Sequence, residues 1–165
     1  MLMSPFLTDW CSRDASLGAG SFAIPDNCDP RTPGQDNSSE AGDSQILKAN
    51  LKLSNCGCQD TGSRNAAHHI VPKIPSQPVG ISLKKCLTDK RQIPINSAIN
   101  GVCLPNHDDE ETNAFPHKGQ EGNLHGVERL KELLDLCESD QYSNREFEDL
   151  LRTIADGYTK GIMLP

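Results

Sequence analysis

A chain of 165 residues with a formal net charge of −7 is long enough for one domain with a modest core. Hydrophobic residues make up 35% and aromatics 4%, and thirteen glycines and eleven prolines gather mostly outside the C-terminal region, so the full length is not expected to pack. The excess of 23 acidic over 16 basic residues argues against a protein that simply coats phosphate with positive charge. It leaves room for an enzyme that holds one phosphate at a metal.

Residues 1–42 read as an extension or linker. Met1 to Trp10 is mildly apolar but lacks a basic leader and a continuous apolar run, so no secretory signal is expected. Gly18-Ala19-Gly20, Asp29-Pro30 and Pro33-Gly34 are turn signals, with one short apolar patch at Phe22-Ala23-Ile24. No stretch approaches the roughly 18 apolar residues of a membrane span. A soluble protein is expected, cytoplasmic in the producing cell, and exported or delivered to a target cell only by a route that ignores an N-terminal signal.

A domain over residues 43–165 should follow. Ser44 can cap a helix carrying Ile46, Leu47, Leu51 and Leu53 that ends near Asn55-Cys56-Gly57. Ala66 to Val71 is too short for a helix with its own core and is closed by Pro72, so a strand is predicted. Neighbouring side chains on a strand point to opposite faces, which gives His68 and His69 different jobs. Ile81 to Asp89 predicts a brief helix, and Ile99 to Leu104 a second strand entered through Asn100-Gly101. Asn106 to Gly122 is a polar loop whose acidic run, Asp108 to Glu111, reads as solvated; His107 reads as a surface histidine. Two helices finish the chain. The first starts near Asn123 with Leu124, Val127, Leu130, Leu133, Leu134 and Cys137 at helical spacing. The second opens on the capping box Ser143-Asn144-Arg145-Glu146, carries Phe147, Leu150, Leu151, Ile154 and Ala155, and should stop at Gly157.

The seven cysteines are odd in number and scattered, so no disulfide framework can be read from them. Ordinary thiols of a reducing compartment are expected. Cys56-Gly57-Cys58 could ligate zinc with Cys86 or Cys103, although a lone pair of this kind is a weak zinc signature.

The chemistry-bearing residues lie in the middle. Phosphodiester hydrolysis needs an activated water and neutralisation of charge on the phosphate; a neutral histidine can do the first and one divalent cation the second. A strand with His68 and His69, a strand start at Asn100, a loop with His117 and a helix start at His125 supply these groups in a workable order. Asn100 is the favoured amide; Asn96 could take that place instead, and Asn100 could equally serve only a turn. Lys73, Lys84 and Lys85, with Lys90 and Arg91, offer a local basic patch for nucleic acid.

Ala67-His68-His69-Ile70-Val71-Pro72, Ile95-Asn96, Asn100-Gly101-Val102 with Leu104-Pro105, and the final histidines resemble the AHH family of the HNH/endonuclease VII superfamily, over roughly residues 43–140. The resemblance implies an α+β fold, a ββα-metal finger embedded in helices. It implies His69 as general base and Asn100 as the amide that orients it. It implies His68 as a ligand of one divalent ion (magnesium, manganese, nickel or zinc), joined by His117 or His125. His125 is favoured, because the start of a packed helix fixes a ligand better than a loop. Family members often close with HxxxH followed by tyrosine; here the spacing is His-x7-His, with Val127-Glu128 in the aromatic's place. The implied function is a metal-dependent endonuclease of DNA leaving a 5′-phosphate, with RNA as the nearest variant. It would be a bacterial toxin or effector with an immunity protein as partner. Two other readings compete: a non-catalytic zinc-binding module using His68, His117, His125 and Cys56/Cys58, and an inactive member of the nuclease fold.

Overall fold

The computed structural model describes residues 22–34, 43–59, 65–106, 114–117 and 124–163. Its order is α1 (Asp43–Leu53), β1 (Asn65–His69), α2 (Pro78–Lys85), β2 (Gly101–Pro105), α3 (Val127–Glu138) and α4 (Asn144–Thr159). Four α-helices and one two-stranded sheet among the described residues make it α+β.

The strands are antiparallel, with Ala67 opposite Cys103, His68 opposite Val102 and His69 opposite Gly101. The 31 residues between them hold α2, a π-turn at Cys86–Lys90 and a 3-10 turn at Ala98–Asn100. Strand alternation sorts the side chains onto two faces. Ala67 and Cys103 join Leu47, Leu51 and Ala98 in a small cluster under α1. Val102 and Leu104 face the larger core, built with Leu83, Leu130, Leu133, Phe147, Leu151 and Tyr158 from the other three helices. His68, paired with Val102, is therefore drawn to the large core, while His69 lies on the α1 face.

α1 ends where Asn55 takes a left-handed conformation (φ 57°), followed by Gly57 at φ 124°. Ser44, its predicted cap, has no described side chain. α2 starts with Pro78 in the first turn, where its missing N–H costs nothing. α3 starts at Val127 rather than Asn123, because Gly126 is extended (ψ 151°) and serves as its N-cap. α4 carries the full capping box: the Glu146 amide donates to Ser143 Oγ and the Ser143 amide to the Glu146 carboxylate. Gly157 does not end it. The helix runs on to Thr159, and the chain turns at Gly161 (φ 68°), with the Ile162 amide donating to the Gly157 carbonyl.

Two expectations need correcting. Six cysteines are not free thiols but form the disulfides Cys28–Cys56, Cys58–Cys103 and Cys86–Cys137. No sequence spacing announces these pairs, because each joins residues brought together only by the fold. They also remove Cys56, Cys58, Cys86 and Cys103 as thiolate zinc ligands. Within the predicted extension, residues 22–34 are fastened to the domain. Besides the Cys28 disulfide, the Asp29 amide donates to the Ser54 carbonyl, and Arg31 pairs with Glu148 and Asp149 of α4. No helix among the described residues is long and apolar enough to cross a membrane.

Candidate metal and nuclease site

The hairpin, the segment at 114–117 and the approach to α3 bring the rings of His68, His117 and His125 together, with His69 next in the strand on its other face. His68 is 2% exposed, and its Nδ1 lies 3.2 Å from Nδ1 of His117. The His125 ring stacks on His68, with centroids 4.7 Å apart and planes at 19°. His117 is positioned through its backbone, whose amide donates to the Pro105 carbonyl at the end of β2. His125 donates from Nε2 to the His69 carbonyl at 2.7 Å, since a carbonyl can only accept. That bond leaves the lone pair of His125 on Nδ1, the arrangement in which a ligating histidine is steadied by its other nitrogen.

Burial holds the His68 ring well below an ordinary histidine pKa, and the neighbouring His125, His117 and His69 add to the effect. It is neutral at pH 7, the form that ligates metal. Its Nε2 is buried without a hydrogen-bond partner among the described residues. Two imidazole nitrogens bound tetrahedrally to one ion at about 2.05 Å stand about 3.3 Å apart. The His68–His117 approach fits that separation. No set of three or more histidine, cysteine, aspartate or glutamate side chains among the described residues is grouped around one ion position. The described residues thus bring His68 and His117 within 3.2 Å of each other, with the His125 ring stacked on His68, and supply no third ligand grouped with them.

His69 is half-buried on the opposite face of β1. Its Nε2 lies 2.9 Å from Oδ1 of Asn96 and donates to it, which places the basic lone pair on Nδ1. Asn96 is itself fixed, because Asn50 of α1 donates to its carbonyl at 2.8 Å. The amide that orients the expected base is thus Asn96, and the role given to Asn100 needs correcting. Asn100 is fully buried and spends its side chain on backbone: Oδ1 accepts from the Val71 amide, and Nδ2 donates to the carbonyls of Val71 and Ile95. It ties the exit of β1 to the start of β2. The 3-10 turn preceding β2 turns Asn100 inward and leaves the preceding loop to present Asn96.

The basic residues divide. Lys84 donates from Nζ to the Lys73 carbonyl, so these two lie together next to the exit of β1. α2 runs alongside α3 in the same direction, Gly80 near Leu130 and Cys86 bonded to Cys137, which carries exposed Lys85 toward the C-terminal end of α3. Lys90 and Arg91 lie at that end too. Lys90 donates to the Glu138 carbonyl and pairs with Asp140. Arg91 is buried and donates to the carbonyls of Leu136, Cys137, Ser139 and Tyr142. Arg91 caps the C-terminal end of α3, and the length of that helix puts it about 17 Å from the His125 end.

Two neighbours of the cluster carry no role in the sequence reading. Tyr158 of α4 sets its ring edge-on to His68, with centroids 6.2 Å apart. Tyr158 continues the apolar stripe of α4, four residues after Ile154, so its burial could have been read from the period. Arg129 lies four residues beyond His125 and is 6% exposed. Nothing in the sequence marks it, because a charged residue in the first turn of an amphipathic helix usually faces water. His107 and the acidic run from Asp108 to Glu111 lie outside the described residues. No family model, curated protein or solved structure matches the chain.

Proposed function

We propose that the protein is a metal-dependent endonuclease with a ββα-metal arrangement formed by β1, β2 and α3, hydrolysing phosphodiester bonds of DNA, with RNA as the nearest alternative substrate. The observation that carries this reading is the division of labour at the hairpin: His68 with His117 on one face of β1, and His69 held by Asn96 on the other. A divalent cation at His68 and His117 would neutralise negative charge on the phosphate during cleavage. His69 Nδ1 takes the proton of the attacking water while its Nε2–H stays on Asn96, so the ring cannot swing away from the water. The water oxygen bonds to phosphorus as the P–O3′ bond breaks, leaving a 5′-phosphate and a 3′ oxyanion that takes a proton from solvent to become the 3′-hydroxyl. His125, bonded to the His69 carbonyl, couples the two faces.

The three disulfides support a folded form that works in an oxidising environment rather than in a reducing cytoplasm. Delivery as a toxin or effector, with a cognate immunity protein in the producing cell, agrees with that. The inactive-fold reading draws on one observation, the lack of a three-residue ligand group among the described residues.

The test is cleavage of supercoiled plasmid, and separately of total RNA, by non-reduced protein stripped with chelator and resupplied with magnesium, manganese, nickel or zinc in turn. Cleavage restored by metal and lost in His69→Ala is the expected result. A folded protein that cleaves neither substrate with any metal overturns the proposal.

A further inference from the structure

Arg129 is a cation buried on one side only. Nη1 reaches Glu132 at 3.4 Å, and that carboxylate is mostly exposed, so the guanidinium lies just beneath the surface. Nε and Nη2 have no hydrogen-bond partner among the described residues. Together these two N–H groups form the fork of a guanidinium that grips two oxygens of a carboxylate or phosphate. The buried hydroxyl of Tyr158 lies within hydrogen-bonding reach of the Arg129 guanidinium, from which its oxygen can only accept, so its own proton is left to donate. The same Tyr158 ring packs on His68, whose Nε2 is the next unpartnered polar atom.

Buried donors are almost always matched by acceptors. Here at least three donor positions gather beside the histidine cluster, and the acceptor set that would satisfy them is an oxyanion. Gly126, the N-cap of α3, brings no capping side chain, so the positive end of that helix adds to the same electrostatic bias.

We infer that Arg129 and the Tyr158 hydroxyl form an anion subsite for two non-bridging oxygens of a phosphate, next to His68 and His125. The inference rests on the endonuclease reading only for the identity of its ligand as the scissile phosphodiester. A subsite here binds charge through one buried fork, which a chain of net charge −7 needs more than a broad cationic face.

Inorganic phosphate is the probe. Against chloride at equal ionic strength, phosphate raises the thermal midpoint of the wild type, and phosphate affinity falls about tenfold or more in Arg129→Gln. Arg129→Lys, which keeps the charge and loses the fork, falls nearly as far, and Tyr158→Phe falls less. His69→Ala keeps phosphate binding while losing cleavage. Should Arg129→Gln not fold, Arg129→Lys and Tyr158→Phe decide. Phosphate binding that depends on Arg129 in a protein without nuclease activity supports the subsite and removes the endonuclease reading. Cleavage that depends on His69 but is the same in every folded Arg129 variant, or phosphate binding absent from the wild type, overturns the subsite and leaves that reading standing.

Discussion

Asn96 and Asn100 lie four residues apart and are both buried, yet replacing each with alanine should have opposite consequences. Asn100→Ala strands the Val71 amide and the carbonyls of Val71 and Ile95 in a site with no access to water. At 1–3 kcal/mol for each abandoned buried group, and with partial relaxation, the loss is about 3–5 kcal/mol. That is a large share of a small domain's stability. Asn96→Ala removes one side-chain hydrogen bond, to His69, together with an Nδ2 that has no partner among the described residues. Its backbone bond from Asn50 survives. The stability cost is about 1 kcal/mol. The cost in turnover is larger, at least about tenfold, because a general base contributes roughly 10²–10⁴-fold and does so only when aimed. Urea unfolding followed by circular dichroism, run beside plasmid cleavage, separates the two. An Asn100→Ala protein of wild-type stability with no activity, beside an Asn96→Ala protein of full activity, would refute the assignment.

Four further outcomes are expected. Above pH 6.5 His68 is neutral in both folded and unfolded chains; below it the unfolded chain binds a proton that the folded state excludes, so stability should fall by up to about 1.4 kcal/mol per pH unit. Urea midpoints between pH 7 and 5 check this, and a slope unchanged in His68→Gln sinks it. Cys86–Cys137 closes a separation of 51 residues, so Cys86→Ala with Cys137→Ala should lower stability by about 4 kcal/mol on loop entropy. A non-reduced mass that lacks the deficit of six hydrogens would show that the disulfides do not form. Gly101→Ala sets a Cβ 2.6 Å from Cδ1 of Leu47, which is fully buried, and should cost about 1–3 kcal/mol by denaturant melt. With Lys73, Lys84 and Arg129 as the phosphate contacts near the site, the logarithm of DNA affinity should fall with log salt at a slope of about −3, read by fluorescence anisotropy.

The legible parts of the molecule were those set by local rules. The capping box at Ser143, the end of α1 at Asn55-Cys56-Gly57 and the opposite faces of His68 and His69 follow from short-range geometry, and each stands in the structure. What failed depended on distant parts of the chain. Gly157 resembles a helix stop, but its carbonyl is wanted by Ile162 and its face is buried, so the helix continues. Asn100 and Asn96 are equivalent by residue type; only the 3-10 turn at Ala98–Asn100 decides which amide meets His69. Arg91 looked like a phosphate contact because it lies among lysines. It is a cap because α3 ends against it. The disulfides could not be foreseen from spacing, since residues 28, 58 and 86 meet their partners only after the hairpin and helices have assembled.

A sheet of two short strands is marginal by itself, and a site built on it needs outside support to hold its rings within a fraction of an ångström. The disulfides are placed to give that support. Cys58–Cys103 fixes β2 opposite Ala67, the residue before His68. Cys86–Cys137 fixes α2 along α3, which carries Arg129 in its first turn and directly follows His125 and Gly126. Cys28–Cys56 fastens the N-terminal segment to the end of α1, the helix that packs over the His69 face through Leu47. Each covalent link thus acts on an element that positions a site residue, and none contains one. On the proposed reading, reduction should loosen the geometry of the site before it unfolds the core. Synthesis in a reducing cytoplasm would then yield a chain whose histidines are present but not yet aligned, and alignment would follow export.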